Sequence, residues 1–170
     1  AKQPNGEEVT VGFSLAFTTH KDMPRAAFFY CQQHAPQYFW KPEYQRHANS
    51  AIAIDEVAMV ADEPLHYQDF LATVANGTVI TAQDDHVRIR TQRGDVSIYR
   101  SENFAEYYGY AAPSLTGGPC IAGYRIFVEN RETARNHLSN AGIEWRETSS
   151  GHSIGPEDAS GAVMAFAEVL

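Results

Sequence analysis

The residues of this chain best suited to chemistry crowd into one stretch, His34-Ala35-Pro36-Gln37-Tyr38-Phe39-Trp40-Lys41-Pro42-Glu43-Tyr44-Gln45-Arg46-His47. Two prolines and the lack of a hydrophobic period make it a loop. Tyr38, Phe39, Trp40 and Tyr44 can wall a substrate pocket, since ligand sites are apolar hollows with a few polar groups; equally, they can plug a seam between packed units. Glu43 is a general base beside them or an ordinary exposed carboxylate. His47, followed by Ala48-Asn49, is a ligand, a base or a cap for the turn. His34 ends a predicted strand on the face of Tyr30 and Gln32. Farther along, Tyr108 in Tyr107-Tyr108-Gly109-Tyr110, together with Arg125, can close one end of a cleft over a ligand, or the tyrosines simply cover a linker. His20, His66, His86, His137 and His152 read as surface or turn residues, and Cys31, mid-strand on the face of Phe29, as an inert buried thiol. No phosphate-binding loop, nucleophile elbow or dinucleotide fingerprint is present.

These side chains need a scaffold, and the sequence repeats one. An apolar strand at 54–61 leads to Asp62 and Pro64, a short amphipathic helix, Asn76-Gly77 and short strands that end at Gly94-Asp95-Val96. A second copy runs from Tyr124–Val128 through Asn130, a helix and Ala141-Gly142 to strands ending at Gly161-Ala162-Val163. Asp62 to Asn130 is 68 positions, Gly77 to Gly142 is 65 and Gly94 to Gly161 is 67. A repeat of this kind governs the fold assignment. Two βαβββ units side by side make a curved mixed sheet with a cleft, an α+β fold.

Within the first copy, Asp62 is the expected helix N-cap, and Tyr67, Phe70, Leu71 and Val74 form the buried stripe. In the second, Asn130 is the cap and Ala134, Leu138 and Ala141 point inward. Strands are expected at 78–82, 86–91, 96–99, 143–147, 152–154 and 162–170, and a short helix at 101–110. Upstream, Val9, Val11, Phe13, Leu15 and Phe17 alternate as a half-buried strand, and 26–34 reads as its partner. With no helix beside them, these two strands look like the closing half of a module that begins before Ala1. The expected organisation is therefore residues 1–47 as a strand pair and aromatic loop completing an upstream module, and 48–170 as two βαβββ modules (48–100 and 119–170).

Composition narrows the function. A net charge of −8 argues against a nucleic-acid partner, and Arg88, Arg90 and Arg93 read as a solvated face. No stretch of eighteen apolar residues suggests a membrane span, and the first residues lack the apolar core of a secretory leader. With two distant cysteines, a reduced cytoplasmic setting is expected. A homodimer is expected too, because open sheet edges need cover.

The run Val57-Ala58-Met59-Val60-Ala61-Asp62 before a helix, and Pro156–Phe166 near the end, resemble the vicinal oxygen chelate superfamily of glyoxalase I, extradiol dioxygenases and bleomycin-resistance proteins. More narrowly, 13–17, 28–34, Phe39–Gln45 and His47-Ala48-Asn49 resemble the glyoxalase-like domain proteins, which carry a further βαβββ unit upstream. The resemblance implies a divalent metal (Zn, Ni, Mn or Fe) held in the cleft, acting as Lewis acid on a carbonyl or vicinal oxygen pair in lyase, isomerase or dioxygenase-type chemistry. In this family a His or Gln opens the first strand of a module and a Glu lies in its last strand. The first-strand position falls on Glu56 in one module and on Gly123 or Tyr124 in the other; the last-strand position falls on Ile98 and Ala165. Glu56 is thus the one metal-binding residue carried over, with His34 as a second ligand if an upstream module supplies the rest of a two-His-one-carboxylate set. The rival expectation is a metal-free module that sequesters an aromatic or drug-like molecule, as the bleomycin-resistance relatives do.

Overall fold

The computed structural model describes residues 3 and 6–169. Strands β1 (Phe13–Thr18) and β2 (Phe28–Gln33) form a two-stranded antiparallel sheet of their own. β1 begins at Phe13 rather than at Val9, and it is not half-buried as its alternation suggests. Phe13, Leu15, Phe17 and Phe29 share one face by register and are 51%, 49%, 67% and 56% exposed, since a two-stranded ribbon has no second layer to cover it.

The repeat folds as two matching units. The first contains β3 (Ala51–Val60), a 3-10 turn (Pro64–Tyr67), α1 (Gln68–Ala75), β4 (Thr78–Ala82), β5 (His86–Thr91) and β6 (Gly94–Tyr99). After the connecting helix α2 (Ser101–Tyr108) come β7 (Cys120–Val128), α3 (Arg131–Asn140), β8 (Trp145–Thr148), β9 (Gly151–Ile154) and β10 (Val163–Glu168). One eight-stranded sheet results, ordered β4-β5-β6-β3-β7-β10-β9-β8. β3 is parallel to β6, β7 is parallel to β10, and β3 meets β7 antiparallel. Exchanging β3 with β7 maps the order onto itself, which is the pseudo-twofold of a duplicated module.

Local chemistry accounts for most boundaries. Asn76 takes the left-handed exit from α1 at φ 47°, and the Asn130 side chain accepts from Thr133 N at 2.7 Å to open α3. Asp62 is not a cap, because Pro64 starts a 3-10 turn and the α-helix begins only at Gln68. Ala141 is exposed, as it lies one residue past the end of α3. Leu170, which the sequence puts in the last strand, lies outside the described residues.

The faces of the sheet differ in character. Met59, Val87, Ile89 and Ile98 pack under α1 with Leu71 and Tyr67, joined by Met23 and Ala26 from the β1–β2 connection. Val128, Ile154 and Phe166 pack under α3 with Ala134 and Leu138. The opposite face carries Ala58, Val60, Tyr99, Ala122, Val163 and Ala165, over which α2 lays Phe104 and Tyr108. Ile98 therefore belongs to the helix-side core rather than to the cleft, and Ser97 and Tyr99 are its cleft-facing neighbours. Phe104 is fully buried and stacks on Tyr108 at 4.7 Å. Phe104→Ala should lower stability by about 3–5 kcal/mol, as large buried aromatics do, read as a fall in urea midpoint with far-UV dichroism retained.

Candidate active site

Two adjacent carboxylates in a central strand are the feature from which the site grows. In the β3–β7 ladder, Ile54 pairs with Ile126 and Glu56 pairs with Arg125, so Asp55 is the extra residue of a β-bulge. Without the bulge, Asp55 and Glu56 would point to opposite faces; with it, both reach Arg125. Arg125 Nε donates to Asp55 Oδ2, and Arg125 Nη2 lies 3.5 Å from Glu56 Oε2. Glu56 is 1% exposed and Asp55 6%. Burying charge is costly unless it is paired, so this cluster holds together as a unit.

Aromatic hydroxyls complete it. Tyr99 OH donates to Glu56 Oε1 at 2.7 Å, and Arg125 Nη1 donates to Tyr107 OH. Burial, reinforced by the charge of Glu56, pushes the Tyr99 and Tyr108 phenols far above the ordinary tyrosine value, and burial also raises Tyr107 against the opposing pull of Arg125. All three are neutral hydroxyls at physiological pH. His86 stacks flat on Tyr99, with centroids 4.2 Å apart. Glu56 Oε2, Tyr108 OH and His86 Nε2 are buried without a hydrogen-bond partner among the described residues.

The second arm of the site comes from the β5–β6 hairpin. Since Val87 and Ile89 face the α1 core, His86, Arg88 and Arg90 share the cleft face. Arg88 Nε donates to the buried Asp95 Oδ2 at 2.6 Å, and Arg90 Nε donates to Oδ1 at 3.3 Å. Gly94 permits the hairpin to approach the bulge: its φ is +95°, and a Cβ there would lie 2.6 Å from Asp55 O. Asp55, Asp95, Arg88, Arg90, Arg125 and Phe127 line an open cleft of about 510 Å³. Arg125 lines it; Glu56 does not.

The residues expected from sequence separate into groups. Glu56, Arg125 and Tyr108 come together on the cleft face. Trp40, Tyr44 and His47 line a different hollow of about 590 Å³ with Ile52 and Arg93. Phe39 stacks on Phe13 at 5.4 Å, Tyr38 is half-buried in a 3-10 turn, and Glu43 is exposed in the next one. His34 is exposed beyond β2, its Nε2 2.8 Å from Ser14 Oγ. His34 thus belongs to the two-stranded ribbon and Glu56 to the large sheet. Of the arginines read as a solvated face, Arg90 and Arg93 are exposed, while Arg88 is half-buried against Asp95; Cys31, read as buried, is exposed. Asp55, Tyr99, Arg88 and Asp95 were missed, although the Asp-Glu pair interrupting an apolar strand was a visible signal.

No protein-family model matches the sequence, and no curated protein matches it. Solved structures do match the fold. Methylmalonyl-CoA epimerase from Mycobacterium tuberculosis superposes with a TM-score of 0.56 at 11% identity, over 76% of this chain and 96% of that one. A Streptomyces coelicolor methylmalonyl-CoA epimerase variant in complex with 2-nitronate-propionyl-CoA gives 0.51 at 10% identity, over 70% and 98%. The hypothetical protein BH1468 from Bacillus halodurans C-125 gives 0.50 at 14%, over 69% and 94%. The paired-module fold of this chain is the fold of these epimerases.

The divalent metal implied by the sequence resemblance does not fit the cleft of this chain. Among the described residues, no group of three His, Cys, Asp or Glu donors within 4.8 Å of one another includes Glu56. A guanidinium already faces the carboxylate where a cation would sit.

Two outcomes follow from this geometry. Arg125→Met leaves Asp55 and Glu56 buried without their cation and should cost about 3–5 kcal/mol, measured by urea denaturation, with a smaller loss in Arg125→Lys. The second concerns pH. Burial holds the His86 imidazole below its ordinary value, Glu56 opposing and Arg88 assisting, and burial lowers His152 in the same direction. The unfolded chain then takes up protons first, so stability is full above the unfolded histidine value near 6.5 and falls as pH drops through it toward the folded value. Urea midpoints should decline from pH 7.5 to 5.5, and His86→Phe should flatten part of that slope.

Proposed function

We propose that the chain binds a small organic molecule bearing carboxylate or carbonyl oxygens in the cleft beside Arg125, without a metal in that cleft. The observation that carries the reading is the row of guanidiniums, Arg88, Arg90 and Arg125, held over buried carboxylates in an open cleft with an apolar wall at Phe127. Arg125 is fixed by Asp55, Glu56 and Tyr107, so little side-chain freedom is lost when a ligand meets it. Arg90 is the adaptable partner: it is 60% exposed and loosely paired, able to turn toward an incoming anion. Arginine suits this task because its planar fork matches two oxygens at once. The fold likeness adds that structures of this architecture include an epimerase in complex with methylmalonyl-CoA.

A second reading makes the cleft catalytic, as an isomerase or lyase working on a carbon acid. Glu56 Oε2 favours it, being a buried carboxylate oxygen without a hydrogen-bond partner among the described residues. In that reading Glu56, which lies behind Arg125 and does not line the cleft, must be uncovered by a shift of the Arg125 guanidinium to accept a proton from the carbon beside a carbonyl, and Arg125 steadies the developing oxyanion. Tyr99 holds Glu56 in place rather than touching substrate.

Calorimetric titration of the purified chain with methylmalonyl-CoA, free methylmalonate and benzoate tests the first reading. At least one should bind saturably, and Arg90→Gln should weaken it by about tenfold, the 1.4 kcal/mol of one hydrogen bond to a charged group. Binding of none of the three, or equal binding by Arg90→Gln and Arg125→Lys, overturns it. Deuterium uptake at C2 of methylmalonyl-CoA in heavy water, lost in Glu56→Gln while binding persists, separates catalysis from binding alone.

A further inference from the structure

We propose that His20, Asp22 and His66 form a binding site for a first-row divalent transition metal, of which Zn2+ is the simplest occupant, on the helix side of the sheet and apart from the cleft. One donor atom from each of the three lies within 4.8 Å of the other two. His66 Nε2 and Asp22 Oδ2 are 3.6 Å apart, close to the roughly 3.4 Å that two ligands 2.0–2.1 Å from a tetrahedral Zn2+ keep between them. Two imidazoles and one carboxylate suit Zn2+, Ni2+ or Co2+ better than Mg2+ or Ca2+, which require mostly oxygen.

The donors come from separate segments that the core presses together. His20 and Asp22 belong to the β1–β2 connection, where Met23 and Ala26 are buried against α1 and the first module. His66 belongs to the 3-10 turn Pro64–Tyr67. The His20 ring is held against Phe70 at 4.8 Å and Tyr67 at 5.5 Å, which limits its rotation before any metal arrives. Its Nδ1 lies 3.2 Å from the Asp22 backbone N–H, so the loop turns back on itself to bring ring and carboxylate together. A hollow of about 330 Å³ adjoins the site, lined by Asp22, Asp62, Glu63 and Tyr67. Its three carboxylates draw a cation in and leave room for water on the open coordination position. The resident counter-ion is Lys21 Nζ, 3.1 Å from Asp22 Oδ2 on a side chain 86% exposed, free to leave.

A bound metal would pin the β1–β2 connection to the 3-10 turn that precedes α1. The binding is independent of whatever occupies the cleft. The test uses tag-free protein stripped with a chelator, titrated with ZnCl2 by calorimetry and with Co2+ by visible absorption. One equivalent should bind, and it should raise the melting temperature, since only the folded chain assembles the three donors. His66→Ala, at an exposed position, and Asp22→Asn, at a half-buried one, should each weaken binding by at least roughly tenfold, the lower end of what disturbing a metal site costs. Lys21→Ala should tighten it by removing the competing ammonium, whereas Glu56→Gln and His34→Ala should leave it unchanged. Absence of saturable binding, or wild-type affinity in folded His66→Ala and Asp22→Asn, overturns the proposal.

Discussion

The contact between one guanidinium and two carboxylates from adjacent positions of a single strand organises the rest of the cleft. Arg125 stands on β7 and Asp55 and Glu56 on β3, so the pair lies across the seam where the two modules join. A regular ladder would send one carboxylate into the helix-side core, where it would have no partner. The bulge removes that conflict by adding one residue to β3, at the cost of one irregular ladder step. Once Arg125 is committed, Tyr107 supports it from outside and Tyr99 holds Glu56. The charge network therefore works as a register pin for the module interface as well as a ligand surface.

The concave face is divided along its length. Toward the end of β3 at Val60 it is apolar and covered by α2, with Phe104 and Tyr108 seated on Ala58, Ala122, Val163 and Ala165. Toward Gly94 it is polar and open. The Glu56 cluster lies between these halves. The scaffold is held by the helix-side clusters, which leaves the opposite face free to carry side chains of its own.

How much of this was legible depended on whether the cause was local. The duplicated module was readable because cap, turn and strand chemistry recur with nearly equal spacing, and Asn76, Asn130 and the short strands follow from it. Glu56 came from the family resemblance, as a metal ligand rather than the partner of an arginine, and Arg125 and Tyr108 came as cleft candidates with no link to it. The bulge was not legible, since it arises from pairing between strands about 70 positions apart. The same holds for Arg88 with Asp95: strand alternation put Arg88 on the face of Arg90, but which face was wet depended on where α1 packed. The aromatic loop builds a hollow of its own, apart from the Arg125 cleft. Its composition suits a pocket, yet its partners are the solvent-facing ribbon and Arg93 rather than the concave face.

The seating of α2 has a consequence for any guest. With α2 stoppering one end of the trough, a molecule that pairs with Arg125 in the proposed way would enter beside Val169 and the Gly94 turn, its polar head leading and its tail outward. Chemical elaboration of a bound compound would then be tolerated at the trailing end and rejected at the leading one, so the pattern of accepted homologues would itself report the orientation.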